Sequence, residues 1–120
     1  TLRLVGNGHF LQQPVFVTDL AELILSVMDS EVAHRQIYCA AGPDVIESRR
    51  YYEIVADLLG VKANIEEIPV TQYRQRSPGM APFLCHRIYD LNKLRAHGLR
   101  LPGTPIREGL TRHLESLRSR

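Results

Sequence analysis

The sequence predicts an α/β fold, mixed α+β when the chain stands by itself, with one small sheet and about four helices. Three stretches repeat apolar residues at helical spacing. Shorter apolar or alternating runs fall between them, and Gly and Pro mark the changes. Helices and strands therefore alternate, and the strands are few and short.

Residues 1–13 mix Gly6, Gly8, Gln12 and Gln13 with few apolar residues and read as irregular. A short strand is expected over 14–17. A helix then starts, with Thr18 or Asp19 as cap and Glu22 placed as in a capping box. Its apolar face is Leu20, Leu23, Ile24, Val27 and Met28. Residues 36–41 form an apolar run closed by Gly42-Pro43 and read as a buried strand. A second helix is expected over 48–59, with Tyr51, Ile54, Val55, Leu58 and Leu59 on one face and Gly60 as its stop. Residues 63–70 read as a strand ending near Pro69. Residues 71–82, with Pro78, Gly79 and Pro82, read as the longest irregular excursion. Residues 84–89 alternate as a strand does. Asp90 is placed to cap a short helix that Gly98 ends. The last helix has Thr104 as cap, Pro105 at its first position, and Ile106, Leu110, Leu114 and Leu117 inward.

A chain of 120 residues fits one domain or part of one. At this length it can bury about 65% of its unfolded surface, enough for one modest core. Hydrophobic residues at 44% and charged ones at 23% exclude disorder across the whole chain. The net charge of +2 is too small to imply a polyanion partner. Arg107, Arg112, Arg118 and Arg120 do gather at the end of the chain, and they read as a solvated helix face. Cys39 and Cys85 lie in apolar runs without metal spacing, so buried free thiols in a reducing cytoplasm are expected. No apolar run reaches the ~18 residues of a membrane span. The start at Thr1 has no signal-peptide anatomy and no Met, which suggests a piece of something longer.

Chemistry-bearing motifs are sparse. Gly6-Asn7-Gly8 lacks the third glycine and the following helix of a dinucleotide fingerprint, and reads as a flexible loop. His9, His34, His86, His97 and His113 show no ligand spacing, so no metal is assigned. Tyr89 and Lys93 spell Y-x-x-x-K. On a helix that spacing would place phenol beside ammonium. Asp90 looks like a cap, however, which leaves Tyr89 outside the helix and makes the match a coincidence.

Four stretches, in order, resemble the end of an extended short-chain dehydrogenase/reductase of the NAD-dependent epimerase/dehydratase family. Pro14-Val15-Phe16-Val17-Thr18-Asp19-Leu20-Ala21 is similar to the family's V-H-V-x-D-[VL]-A segment, with Phe16 in place of the frequent His. The run from Gln36 to Gly42 resembles x-Y-N-[IV]-[AG]-G, with Cys39 replacing Asn. The stretch from Tyr51 to Gly60 is similar to E-L-x-x-x-[IL]-x-x-x-x-G. Asp90, Lys93, His97-Gly98-Leu99-Arg100-Leu101-Pro102 and Glu108-Gly109-Leu110 resemble the closing D-x-x-K…L-G-[WF]-x-P…[EL]-G-L signature, which they follow with slight departures.

The resemblance implies that residues 1–120 form a single substrate-binding region, with no catalytic residue of its own. The nucleotide-binding glycines and the catalytic Tyr-x-x-x-Lys of such proteins would lie upstream of Thr1. NAD or NADP would be held there and not by this chain. In that chemistry the cofactor takes a hydride from the sugar and later returns or redirects it. This region would position a nucleotide diphosphate sugar. Arg87, three residues before Asp90, matches the arginine that grips the diphosphate, for which a bidentate guanidinium is suited. Arg74 and Arg76 fall where the family places substrate-contacting segments, and Gln13 and Phe16 flank the strand that passes the pocket. The resemblance also implies a missing N-terminal cofactor domain as partner, and leaves a homodimer open. Membrane partners are not expected and nucleic acid is disfavoured. The other reading is a non-catalytic binding or regulatory protein, like RNA-associated relatives of the family.

Overall fold

The computed structural model describes residues 1–119. Arg120, counted above with the basic end of the last helix, lies outside the described residues. The fold is mixed α+β. Its elements are β1 (Leu2–Val5), β2 (Leu11–Gln12), α1 (Val17–Met28), β3 (Ile46–Glu47), α2 (Ser48–Leu58), β4 (Ile65–Ile68), α3 (Val70–Arg76), α4 (Asn92–Ala96) and α5 (Ile106–Arg118). Stretches of 3-10 helix cover Gly6–Gly8, Glu31–Ala33 and Pro78–Phe83. The sheet is divided in two: β1 pairs with β4 in parallel, and β2 with β3 antiparallel. Backbone contacts group the chain into two compact units. The first joins 1–12 to 46–87; the second joins 13–45 to the chain from 88 onward.

In the first unit, α2 forms where its period predicted. Ile54 and Ala56 are buried, Leu59 closes the helix and Gly60 follows at φ 70°. Residues 1–13, expected to be irregular, instead supply β1 and β2. Leu2 stands opposite Ile65 and Val5 opposite Ile68, so a partner 63 residues away makes the strand. The expected strand over 63–70 is shorter, because Val70 begins α3. Helix α3 is a correction to the irregular excursion. Pro69 presets the entry at φ −56°, and Tyr73 N–H donates to its carbonyl at 3.0 Å. Only Val70 and Tyr73 of α3 are half-buried, too few to leave a readable period. No strand forms at 84–89, where a single backbone bond, Arg87 N–H to Leu11 O at 2.9 Å, touches β2.

The second unit packs Leu23, Leu94 and Leu99 together, with Val27, Tyr38, Ala40, Leu91 and Leu101 against them. The expected strand over 14–17 is absent; Val17 already opens α1. The expected strand over 36–41 is also absent. Tyr38 and Ala40 do point inward while Ile37 and Cys39 point out, but no neighbouring strand pairs with them. Both cysteines are free and exposed, not buried: Cys39 takes an outward position of that alternation. The side-chain caps also differ from expectation. Thr18 and Asp19 do not cap α1, which starts after Phe16 without a side-chain cap. Glu22 forms no capping box and reaches Arg100 at 3.0 Å. Asp44, not Thr104, accepts from the Ile106 N–H of α5, at 2.7 Å. Asp90 accepts from the Asn92 N–H at 2.8 Å, but it stands one residue before Leu91, the N-cap of α4, and that helix has no side-chain cap.

Candidate substrate cleft

The first unit carries a cleft of about 240 Å³. Phe10, Tyr52 and Phe83 give it aromatic walls, Ser48 and Gln12 add polar edges, and Arg87 is its cation. No aspartate or glutamate lines it. The wall is built locally. Ser48 opens α2 and donates both its N–H, at 3.0 Å, and its hydroxyl, at 3.1 Å, to Phe10 O. That fixes the aromatic residue against the helix. Arg87 stacks on the Phe83 ring with its guanidinium 5.4 Å from the centroid, and Nη2 donates to Phe83 O at 3.4 Å. Neither contact neutralises it, so its charge stays available to an anion.

The turn before β2 explains why no phosphate cradle forms there. Gly6, Asn7 and Gly8 all take positive φ, at 56°, 55° and 74°. A Cβ on Gly8 would lie 2.7 Å from Leu4 Cδ1 and 2.9 Å from the Arg49 backbone nitrogen. The missing side chain makes room for protein, not for a ligand. The turn then feeds a strand where a dinucleotide fingerprint needs a helix. The residues present do not fit a dinucleotide cofactor at this turn.

Of the five substrate-binding candidates, Arg87 alone lines this cleft. Arg74 and Arg76 are exposed on α3 and do not line it. Gln13 serves the second unit's backbone: its Nε2 donates to Gly42 O at 2.8 Å and its Oε1 accepts from Tyr89 N–H at 2.9 Å. Phe16 packs on Gly109, where a Cβ would meet the ring at 3.2 Å, and lies beneath the Arg112 guanidinium. Sequence reasoning missed Phe10, Tyr52 and Phe83. They come from three separated segments, and no spacing links them. Tyr89 and Lys93 do not form a reactive pair. Tyr89 precedes α4, while Lys93 Nζ donates to Ile37 O at 3.0 Å and stands over the Tyr38 ring.

One titratable group in the second unit is clearly shifted. Burial pushes the Asp19 carboxyl up. Hydrogen bonds from the Thr104 N–H and hydroxyl and from the Gly103 N–H, with the charge of Arg112, outweigh it and hold Asp19 below its ordinary value. Among the described residues, no His, Cys, Asp and Glu gather in a group of three that could hold a metal, and no helix is long and apolar enough to cross a membrane. No protein-family model matches the chain, and no curated protein matches it significantly.

Proposed function

We propose that this chain is the substrate-side portion of an NAD(P)-dependent nucleotide-sugar epimerase, dehydratase or related reductase, and that its cleft receives a nucleotide diphosphate sugar. The cleft carries the reading. It combines aromatic walls, which suit flat rings, with one unneutralised arginine, which suits a diphosphate, and it has no carboxylate to repel one. At about 240 Å³ it is smaller than the ~300–1,000 Å³ of complete small-molecule sites. It therefore takes part of such a ligand, and another body covers the rest.

In the second unit, α1 also leaves apolar residues uncovered. Val17, Ile24, Leu25 and Met28 are 52–74% exposed, although they lie on the same helix as buried Leu23. On this reading a cofactor-binding portion, holding NAD or NADP and the proton-moving tyrosine, packs over α1. The chain alone turns nothing over. Two exposed thiols that remain unpaired suit a reducing compartment, and we place the protein in the cytoplasm.

The RNA-associated alternative draws on the basic last helix. Arg112 there is engaged by Glu108 and by the Phe16 ring, which leaves less free charge for a polyanion. Calorimetry with a nucleotide diphosphate sugar tests the proposal. Arg87→Ala should weaken binding at least tenfold, as loss of a charge-assisted bond does at about 1.5–3 kcal/mol. Arg74→Ala and Arg76→Ala should leave it within a factor of about two. Equal losses at all three arginines, with a steep salt dependence towards RNA, would favour the alternative.

A further inference from the structure

We infer that His86 positions Arg87 in the cleft and makes that position sensitive to pH. The consequence for ligand affinity rests on the anion reading of the cleft; the positioning rests on geometry alone. Residues 85–87 run beside β2 without joining it as a strand, and two hydrogen bonds attach them there, both to Leu11. Arg87 N–H donates to Leu11 O at 2.9 Å, and Leu11 N–H donates to His86 Nδ1 at 3.0 Å. The second bond has a fixed direction, because a backbone N–H can only donate. An imidazole nitrogen accepts only while it carries no proton. The bond therefore requires neutral His86 with its proton on Nε2. Protonation sets N–H against N–H and releases one of the two attachments.

The surroundings do not substitute for that bond. The His86 ring stands against Phe10, with centroids 5.9 Å apart. Its chain neighbours are Cys85, whose Sγ lies 3.5 Å from Pro82 O, and Arg87 itself. From β3, Glu47 is engaged with His9 at 3.0 Å. From α2, Arg49 is engaged with Glu53 at 3.0 Å, and Tyr52 lines the cleft wall.

Protonation of His86 should therefore loosen the mount of Arg87 and weaken anion binding. This is opposite to the sign expected from charge alone, since a second cation beside an anion site should tighten it. The two roles are separable by experiment.

The test uses the whole chain and His86→Asn, whose Oδ1 supplies an acceptor near the place of Nδ1 and does not titrate. Two quantities are followed from about pH 8 to about pH 5. One is the Leu11 amide resonance and its exchange rate. The other is affinity for inorganic pyrophosphate, expressed as wild type over variant so that the probe's own ionisation cancels. The Leu11 amide should shift and exchange faster with the midpoint of the His86 ring, and the affinity ratio should fall roughly fivefold, the factor of one ordinary hydrogen bond. A Leu11 amide that stays unmoved while the His86 ring titrates overturns the proposal, and so does a ratio that rises on acidification. Failure of pyrophosphate to bind at every pH, with the Leu11 response intact, overturns the anion reading of the cleft and leaves the hold of His86 on the segment standing.

Discussion

Replacing Asp19 by alanine should destabilise the second unit by about 2 kcal/mol. The carboxylate accepts from Gly103 N–H at 3.0 Å, Thr104 N–H at 2.7 Å and Thr104 Oγ1 at 2.7 Å. It thus ties the first turn of α1 to the loop that enters α5. A bond to a charged acceptor is worth about 1.5–3 kcal/mol, but Gly103 is exposed and recovers water, so the sum stays near one strong bond. Asp19→Asn keeps one carbonyl oxygen and should cost about 1 kcal/mol. The pH dependence has a definite sign. The folded-state value of Asp19 lies below its ordinary 3.8, so its stabilisation is present above 3.8 and is lost as pH falls through the depressed value. Urea unfolding followed at the Leu23 and Leu94 amides reads the second unit by itself. The gap between wild type and Asp19→Asn should be full at neutral pH and should close below pH 3.8. A cost for alanine under about 0.5 kcal/mol, or a gap that widens in acid, would refute the reasoning.

Glycine positions separate crowding from backbone strain. Gly42→Ala would place a Cβ 1.9 Å from Pro14 O and should unfold the second unit, at a cost of at least about 3 kcal/mol, seen as collapse of its amide spectrum. Gly8→Ala meets both crowding and a φ of 74°, whereas Gly60→Ala meets open space at φ 70°. Thermal unfolding should therefore show a clearly larger loss for Gly8→Ala than the ~1 kcal/mol of left-handed strain at Gly60; equal losses would discount the crowding. Ile24 and Met28 are 52% and 74% exposed, so changing both to glutamate should leave the urea midpoint of the second unit unchanged. A lowered midpoint would place them in the core after all.

Sequence reading succeeded where structure is local. Helix α2 follows from five apolar residues at helical spacing and a glycine stop, and those residues decide their own conformation. The strands were the opposite case. β1 exists because Leu2, Arg3, Leu4 and Val5 meet residues 65–68, and nothing in the first five residues announces that partner. Residues 36–41 show the reverse failure: the alternation is real, but no strand lies alongside, so no ladder forms. Capping failed for a related reason. Asp19 and Asp44 are cap-type residues, and each serves a backbone donor far along the chain, which spacing rules for neighbours do not reach. For the cleft, Arg87 was singled out by the resemblance, through its place three residues before Asp90, while Phe10, Tyr52 and Phe83 look in sequence like any core aromatics.

The apolar stripe of α1 makes the deeper point. Periodicity gave Leu20, Leu23, Ile24, Val27 and Met28 as one buried face. In the fold Leu23 is 4% exposed while Met28 is 74% exposed, so the second unit covers one edge of that stripe and leaves the other to water. Val17 and Leu25 widen the uncovered side. A helix apolar on more than one side is a helix buried on more than one side. On the proposed reading, a cofactor-binding portion covers that side. Adding such a portion should slow amide exchange in α1. If exchange at Ile24 and Met28 stayed unchanged, the exposed stripe would need a different occupant.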